Sequence, residues 1–207
     1  YGYGYGGSSY PGIGKFTINK QCSVAGNAMS LLFVDDFVGK TDLTGYNYAF
    51  YELFKSCTNV KSAKNLILPA TILAEKCYQY MFYGCNNLIF APELPATKLA
   101  NYCYQSMFNG CTSLVTAPEL PATTLASYCY YEMFYGTNAL PDCSNIDFTS
   151  NTVVSSGGLR GLFAGTKVTD NDLYYILPIN PATGKYWLPA TTLAMYCYQY
   201  MFEGCSS

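Results

Sequence analysis

The sequence has no histidine, one arginine (Arg160) and one tryptophan (Trp187) in 207 residues. Without an imidazole, Ser-His-Asp and Cys-His catalysis, His-bearing zinc sites and imidazole pH switching are all excluded. Charge is sparse as well: 11 Lys+Arg and 13 Asp+Glu make 12% of the chain, about half the usual quarter of a soluble domain. A net charge of -2 with a single guanidinium gives no basic footprint for a phosphate backbone, so nucleic acid is not an expected partner. No apolar run approaches the ~18 residues of a membrane span, and none is expected in this segment. The chain opens at Tyr1 with neither an initiator Met nor a signal peptide, and it reads as a mature or excised piece of a longer protein.

What is present is half apolar, with 22 tyrosines, 12 phenylalanines and 10 cysteines. Tyr, Ser, Thr and Asn supply polarity without charge, a surface commoner outside cells than inside. The length suits one domain or one array of small units with a sizeable core.

A repeat organises the chain. Residues 69–82 (PATILAEKCYQYMF), 95–108 (PATKLANYCYQSMF), 121–134 (PATTLASYCYYEMF) and 189–202 (PATTLAMYCYQYMF) are versions of one segment, the first three spaced by 26 residues. The connectors GCNNLIFAPEL (84–94) and GCTSLVTAPEL (110–120) repeat too. Two weaker copies, ending at Cys57 and filling Val154–Thr166, bring the number of units to six. Their closing phenylalanines are Phe54, Phe82, Phe108, Phe134, Phe163 and Phe202, and the last step carries about 13 extra residues.

Leu125, Cys129 and Met133 lie four apart, as do Ala126, Tyr130 and Phe134, which predicts one helix with two adjacent apolar stripes. Thr123 is placed to cap it and Gly136 to end it. Ser113–Ala117 is a short β-type run closed by Pro118, expected to pair with the same run in neighbouring units. Stacked units of this kind form an α/β solenoid, with short parallel strands on one face and helices on the other.

In MFYGCNNL, MFNGCTSL and LPATTLASYCYYEMF the chain resembles the leucine-rich-repeat class, specifically its BspA-like bacterial surface-protein branch. The resemblance covers about residues 45–207. It implies a leucine-rich-repeat solenoid and a cell-surface or secreted protein of gut or oral bacteria, or of their phages, used in adhesion or partner binding. The unit here is longer than is usual in that branch and carries an added Pro-Glu pair, Pro92-Glu93 and Pro118-Glu119.

Residues 1–12 (YGYGYGGSSYPG) read as a low-complexity Gly/Tyr tail, and GYGYGG lacks the strand and helix a dinucleotide fingerprint needs. Residues 13–44 alternate in Lys15–Asn19 and hold the apolar run Met29–Val34, which suits a small N-terminal β cap. Residues 45–207 form the six-unit array, whose C-terminal end is expected to be uncapped, stopping one residue short of the next unit's leucine. The insertion at about 170–188 reads as a hairpin that gathers Tyr174, Tyr175, Tyr186 and Trp187. These four are the candidate binding residues, since rigid aromatics on an inserted loop suit recognition, while packing over the weak unit beneath is the plainer reading of them.

Eight cysteines fall in two columns: Cys77, Cys103, Cys129 and Cys197, and Cys57, Cys85, Cys111 and Cys205. Thr137 and Ala49 occupy slots where disulfide partners would be needed, so a ladder of reduced, buried thiols is expected. No CxxC pair or metal-ligand spacing indicates zinc. Glu93 and Glu119 share one slot of successive units, about 5 Å apart on adjacent strands. That is also the separation of a retaining glycosidase pair, but solvent-facing carboxylates at strand ends are the simpler reading. Asp170-Asn171-Asp172 lacks the further ligands of a calcium loop. Tyr78, Tyr104, Tyr130 and Tyr198 are expected in the core with hydroxyls reaching partners, and the Tyr80, Ser106, Glu132, Tyr200 slot is expected to be exposed.

The function expected is a non-enzymatic extracellular or cell-surface binding or adhesion module, recognising a protein or glycan on another cell or particle and needing no cofactor. The alternative is a structural or receptor-binding subunit of a phage tail or fibre, located on a virion, or of a surface appendage, with self-association through the uncapped C-terminal repeat.

Overall fold

A computed structural model describes residues 13–138, 146, 148, 153–168 and 192–205. The elements in chain order are β1 (Cys22–Asn27), α1 (Ser30–Phe33), β2 (Val60–Ile67), β3 (Thr124–Leu125), β4 (Val153–Val154) and β5 (Thr192–Leu193). Every strand pairing is parallel: β1 with β2, and β3–β4–β5 in order. Isolated parallel bridges extend the second row backward through Asp42, Ile72 and Lys98, and a further row joins Ser62, Phe90 and Thr116. Parallel partners one repeat apart mean that consecutive units lie side by side in register.

The segments expected to be helical are not. Among the described residues the only α-helix is the four-residue α1, and residues 75–84, 101–110 and 127–136 are continuous turns. Their backbone follows a strict four-residue period. Lys76, Tyr80 and Gly84 all have positive φ, as do Tyr102, Ser106 and Gly110, and Tyr128, Glu132 and Gly136. All eighteen such corners, three in each of six units, are left-handed. All but Tyr196 are the third residue of a turn closed by an i+3 hydrogen bond, such as Met81 N–H to Tyr78 C=O, where a type II turn requires positive φ. A non-glycine residue there costs roughly 1–2 kcal/mol, so something must offset the strain.

Hydrogen bonds between units supply it. In the second unit the N–H groups of Lys76, Tyr78, Tyr80, Phe82 and Gly84 donate to the carbonyls of Asn101, Cys103, Gln105, Met107 and Asn109 in the third, at 2.8–3.1 Å. The alternate N–H groups, from Cys77 to Cys85, turn back three residues within their own unit. The same five donors serve each of the five interfaces, always pointing towards the following unit. The backbone is thereby satisfied as completely as in a helix, with half its bonds made between units instead of along the chain.

Stacking follows from this ladder. The closing phenylalanines form one column, Phe54–Phe82–Phe108–Phe134–Phe163–Phe202, with centroids 5.2–5.9 Å apart and planes within 11°. Phe16 begins it, 5.3 Å from Phe54. A second column runs Phe50–Tyr78–Tyr104–Tyr130. Met81, Met107 and Met133 are buried with them, as are the column cysteines except the half-buried Cys205.

The N-terminal segment continues the same logic. Ile13 and Phe16 donate N–H to Ala49 and Leu53 C=O, covering the open face of the first unit before β1 begins. Asn59 Nδ2 secures Ile18 C=O at 2.9 Å, and Ala28 and Met29 are buried beyond β1. No helix among the described residues is long and apolar enough to cross a membrane.

Candidate binding groove

The Pro-Glu pairs shape the most distinctive surface. Val115 N–H donates to Ile89 C=O at 3.3 Å, and Phe90 bridges Thr116. Four prolines follow, Pro92 and Pro95 in one unit and Pro118 and Pro121 in the next. Proline has no N–H, so it cannot donate to a ladder. Beyond them Thr97 N–H meets Thr71 C=O at 3.1 Å. Between the bridge and that point lies an open groove of about 650 Å³, lined by Phe90–Pro95, Thr116–Glu119, Pro121, Lys64 and Asn65. A hollow of about 470 Å³ continues it along Lys64–Pro69, sharing Glu93 and Pro95.

Phe90 is 48% exposed and Ile67 53%. Both are large apolar side chains on this face, next to the exposed carboxylates of Glu93 and Glu119. Those two occupy the same position after the Phe90–Thr116 bridge, and neither is within ion-pair distance of a lysine or arginine among the described residues. The pair considered as glycosidase carboxylates therefore stands in the open, at the edge of a groove suited to contact along a ligand's length. Among the described residues no cluster of Cys, Asp or Glu is arranged to hold a metal ion.

The turn ribbon carries a second polar surface, built on cations held by rings. Lys76 Nζ lies between Tyr48 and Tyr102, 5.0 and 5.3 Å from their centroids, and donates to the Tyr48 hydroxyl at 2.8 Å. Arg160, the lone arginine, packs over Tyr131, Tyr196 and Tyr200 at 5.4–5.7 Å. Burial and a hydrogen bond to Glu132 push the Tyr131 hydroxyl up to about 12. Tyr102 and Tyr128 stack with planes 3° apart, and the Tyr128 ring in turn covers Gly157, where a Cβ would fall 2.4 Å from it.

Two tyrosine expectations need correction. Tyr78, Tyr104 and Tyr130 are buried, yet the hydroxyls of Tyr78 and Tyr130 have no hydrogen-bond partner among the described residues. Their column begins at Phe50, so ring stacking holds them without using the oxygen. The slot expected to be exposed holds a buried Ser106, 2% exposed, between the longer Tyr80 and Glu132 of the flanking units.

The cysteine columns also do more than fill space. The thiols of Cys57, Cys85, Cys111 and Cys205 donate to the carbonyls of Phe16, Phe54, Phe82 and Phe163, each one unit back, at 3.0–3.1 Å. Where the column changes residue, the hydroxyls of Thr137 and Thr166 donate to Phe134 and Phe163 within their own units. All nine cysteines among the described residues are free.

Tyr174, Tyr175, Tyr186 and Trp187, the insertion at about 170–188 and Asp170–Asp172 lie outside the described residues. Sequence reasoning passed over Phe90 and the proline walls as a binding surface. The signal was Pro92-Glu-Leu-Pro95 repeated as Pro118-Glu-Leu-Pro121, which withholds four N–H groups from neighbouring coils beside the groove. No protein-family model, no curated protein and no solved structure matches this chain.

Proposed function

We propose that the chain is a non-enzymatic binding or adhesion module, a solenoid of the leucine-rich-repeat kind in which turn ribbons replace the helices of an α/β array, working at a cell surface or outside the cell. The observation that carries this reading is the groove: an open channel with exposed Phe90 and Ile67, proline walls and two unpaired carboxylates. Concave, largely apolar surfaces with a few placed polar groups are where proteins bind ligands. In-register stacking makes the support rigid, so little ordering is required on binding. The partner is a protein or glycan carried by another cell or particle.

The test is binding of the purified chain to a glycan array and to immobilised cell-surface proteins, with Phe90→Ala as control. Saturable binding weakened by that substitution supports the proposal. Binding to neither panel, or binding indifferent to every change in the groove, refutes it.

A second reading, a structural or receptor-binding subunit of a fibre, appendage or virion, is favoured by the sixth unit. Leu193, Met195, Tyr196 and Tyr200 are exposed there, whereas Leu125, the counterpart of Leu193, is buried. Concentration-dependent association abolished by Leu193→Asp would support assembly through that face.

A further inference from the structure

The groove's chemistry narrows the class of ligand, and this step rests on the reading of the groove as a binding surface. We propose that it takes an extended segment of a partner protein carrying arginine or lysine, its cationic side chain placed over Phe90 between Glu93 and Glu119.

The lining is acidic, with Glu93 and Glu119 against one lysine, Lys64. Pro92, Pro95, Pro118 and Pro121 present carbonyls without N–H groups, and the two carboxylates are acceptor-only when ionised. An occupant that brings cationic donors complements them. The two carboxylates follow the same bridge in adjacent units, and neither is in an ion pair among the described residues. A guanidinium between them offers N–H groups to both in a fork geometry, while its flat face suits the exposed Phe90 ring. A neutral sugar would satisfy the lone pairs with hydroxyls but leave the excess negative charge uncompensated, and an anionic ligand would add to it. The channel is linear, running from Ile67 and Pro69 past Glu93 to Pro121, which fits a chain laid along it better than a compact molecule. Lys64 lies towards the Ile67 end, so the charges along the groove set the ligand's direction.

The experiment sorts a displayed library of random nine-residue peptides on the full chain, then measures the best binder as a synthetic peptide. Arginine and lysine should be enriched. Replacing the key arginine by citrulline, its neutral isostere, should weaken binding on the order of tenfold. The Glu93→Gln, Glu119→Gln double variant, unchanged in melting temperature because both side chains are exposed, should show the same loss and no longer distinguish arginine from citrulline. Failure to select cationic peptides overturns the proposal. So does binding of uncharged peptides or neutral glycans that Phe90→Ala abolishes and the double variant leaves intact, a result that keeps the groove as a binding surface. If neither Phe90→Ala nor the double variant alters any binding found, the binding reading falls as well.

Discussion

The thiol of Cys85 donates to the carbonyl of Phe54 in the preceding unit, 3.0 Å away. The same carbonyl accepts the N–H of Cys57, also at 3.0 Å. One backbone oxygen thus joins the turn that closes its own unit to the side chain of the next. Cys111 repeats the arrangement on Phe82. A cysteine in this column is a small buried donor that spans a unit boundary, which a serine would do less well because its hydroxyl costs more to desolvate.

Most cysteines should therefore be free. Thiol titration of the denatured, unreduced protein should find a majority of the ten reactive, and fewer than four would contradict the ladder. In the native state Cys77, Cys103, Cys111 and Cys129 should resist a polar alkylating reagent, since each is fully buried and burial raises each thiol.

Alkaline pH should destabilise the fold. Burial pushes Cys85 and Cys103 from an ordinary 9.0 to about 12. The unfolded chain then releases these protons at lower pH than the native one, so their stabilisation is complete below pH 9 and is lost between 9 and about 12. Tyr78, Tyr104 and Tyr130, raised well above 10 by burial, add to the loss higher in that range. The melting temperature should hold from pH 7 to about 9 and fall above it. A flat profile to pH 11 would contradict this.

Which residues meet was legible in the sequence; how the backbone runs between them was not. The spacing singled out Phe54, Phe82, Phe108, Phe134, Phe163 and Phe202, and those rings form a single column. Apolar residues four apart, however, satisfy a helix and a four-residue turn ribbon alike, and Ala, Leu, Met and Gln favour the helix by propensity. The contrary signal lay in the fifth unit. Gly157, Gly161 and Gly165 occupy all three corners, and three glycines in nine residues would each cost about 1 kcal/mol in a helix interior. In the ribbon they relieve strain. The groove was hidden for a similar reason: Glu93 and Glu119 stood out as charges, whereas the channel comes from what the prolines beside them cannot donate.

Gly161→Ala separates the two backbones. In a helix interior this change would be favourable by up to about 1 kcal/mol. Gly161 has φ +61° with only the flexible Glu132 side chain near its would-be Cβ, at 3.1 Å, so conformational strain should lower stability by roughly 1–2 kcal/mol, read as a denaturant midpoint shift. Gly157→Ala should cost more, because its Cβ meets the Tyr128 ring.

Packing can be tested at the columns. Phe108→Ala removes a fully buried central rung and should cost about 3–5 kcal/mol. Phe16→Ala, at the exposed start of the same column, should cost clearly less. Tyr78→Phe should be neutral or stabilising by up to about 1 kcal/mol, because it deletes a buried hydroxyl without a partner. Urea unfolding of the three variants checks the order.

Stacked turn ribbons bonded across units make one assertion that NMR can test atom by atom: scalar couplings through hydrogen bonds in the deuterated protein. Coupling should connect the Phe82 amide nitrogen to the Met107 carbonyl carbon, and Tyr104 to Cys129, each pair 25 residues apart and within 3.0 Å from nitrogen to oxygen. Coupling of Phe82 to Tyr78 and of Tyr104 to Ala100, four residues back along the chain, would mean helices and would contradict the account.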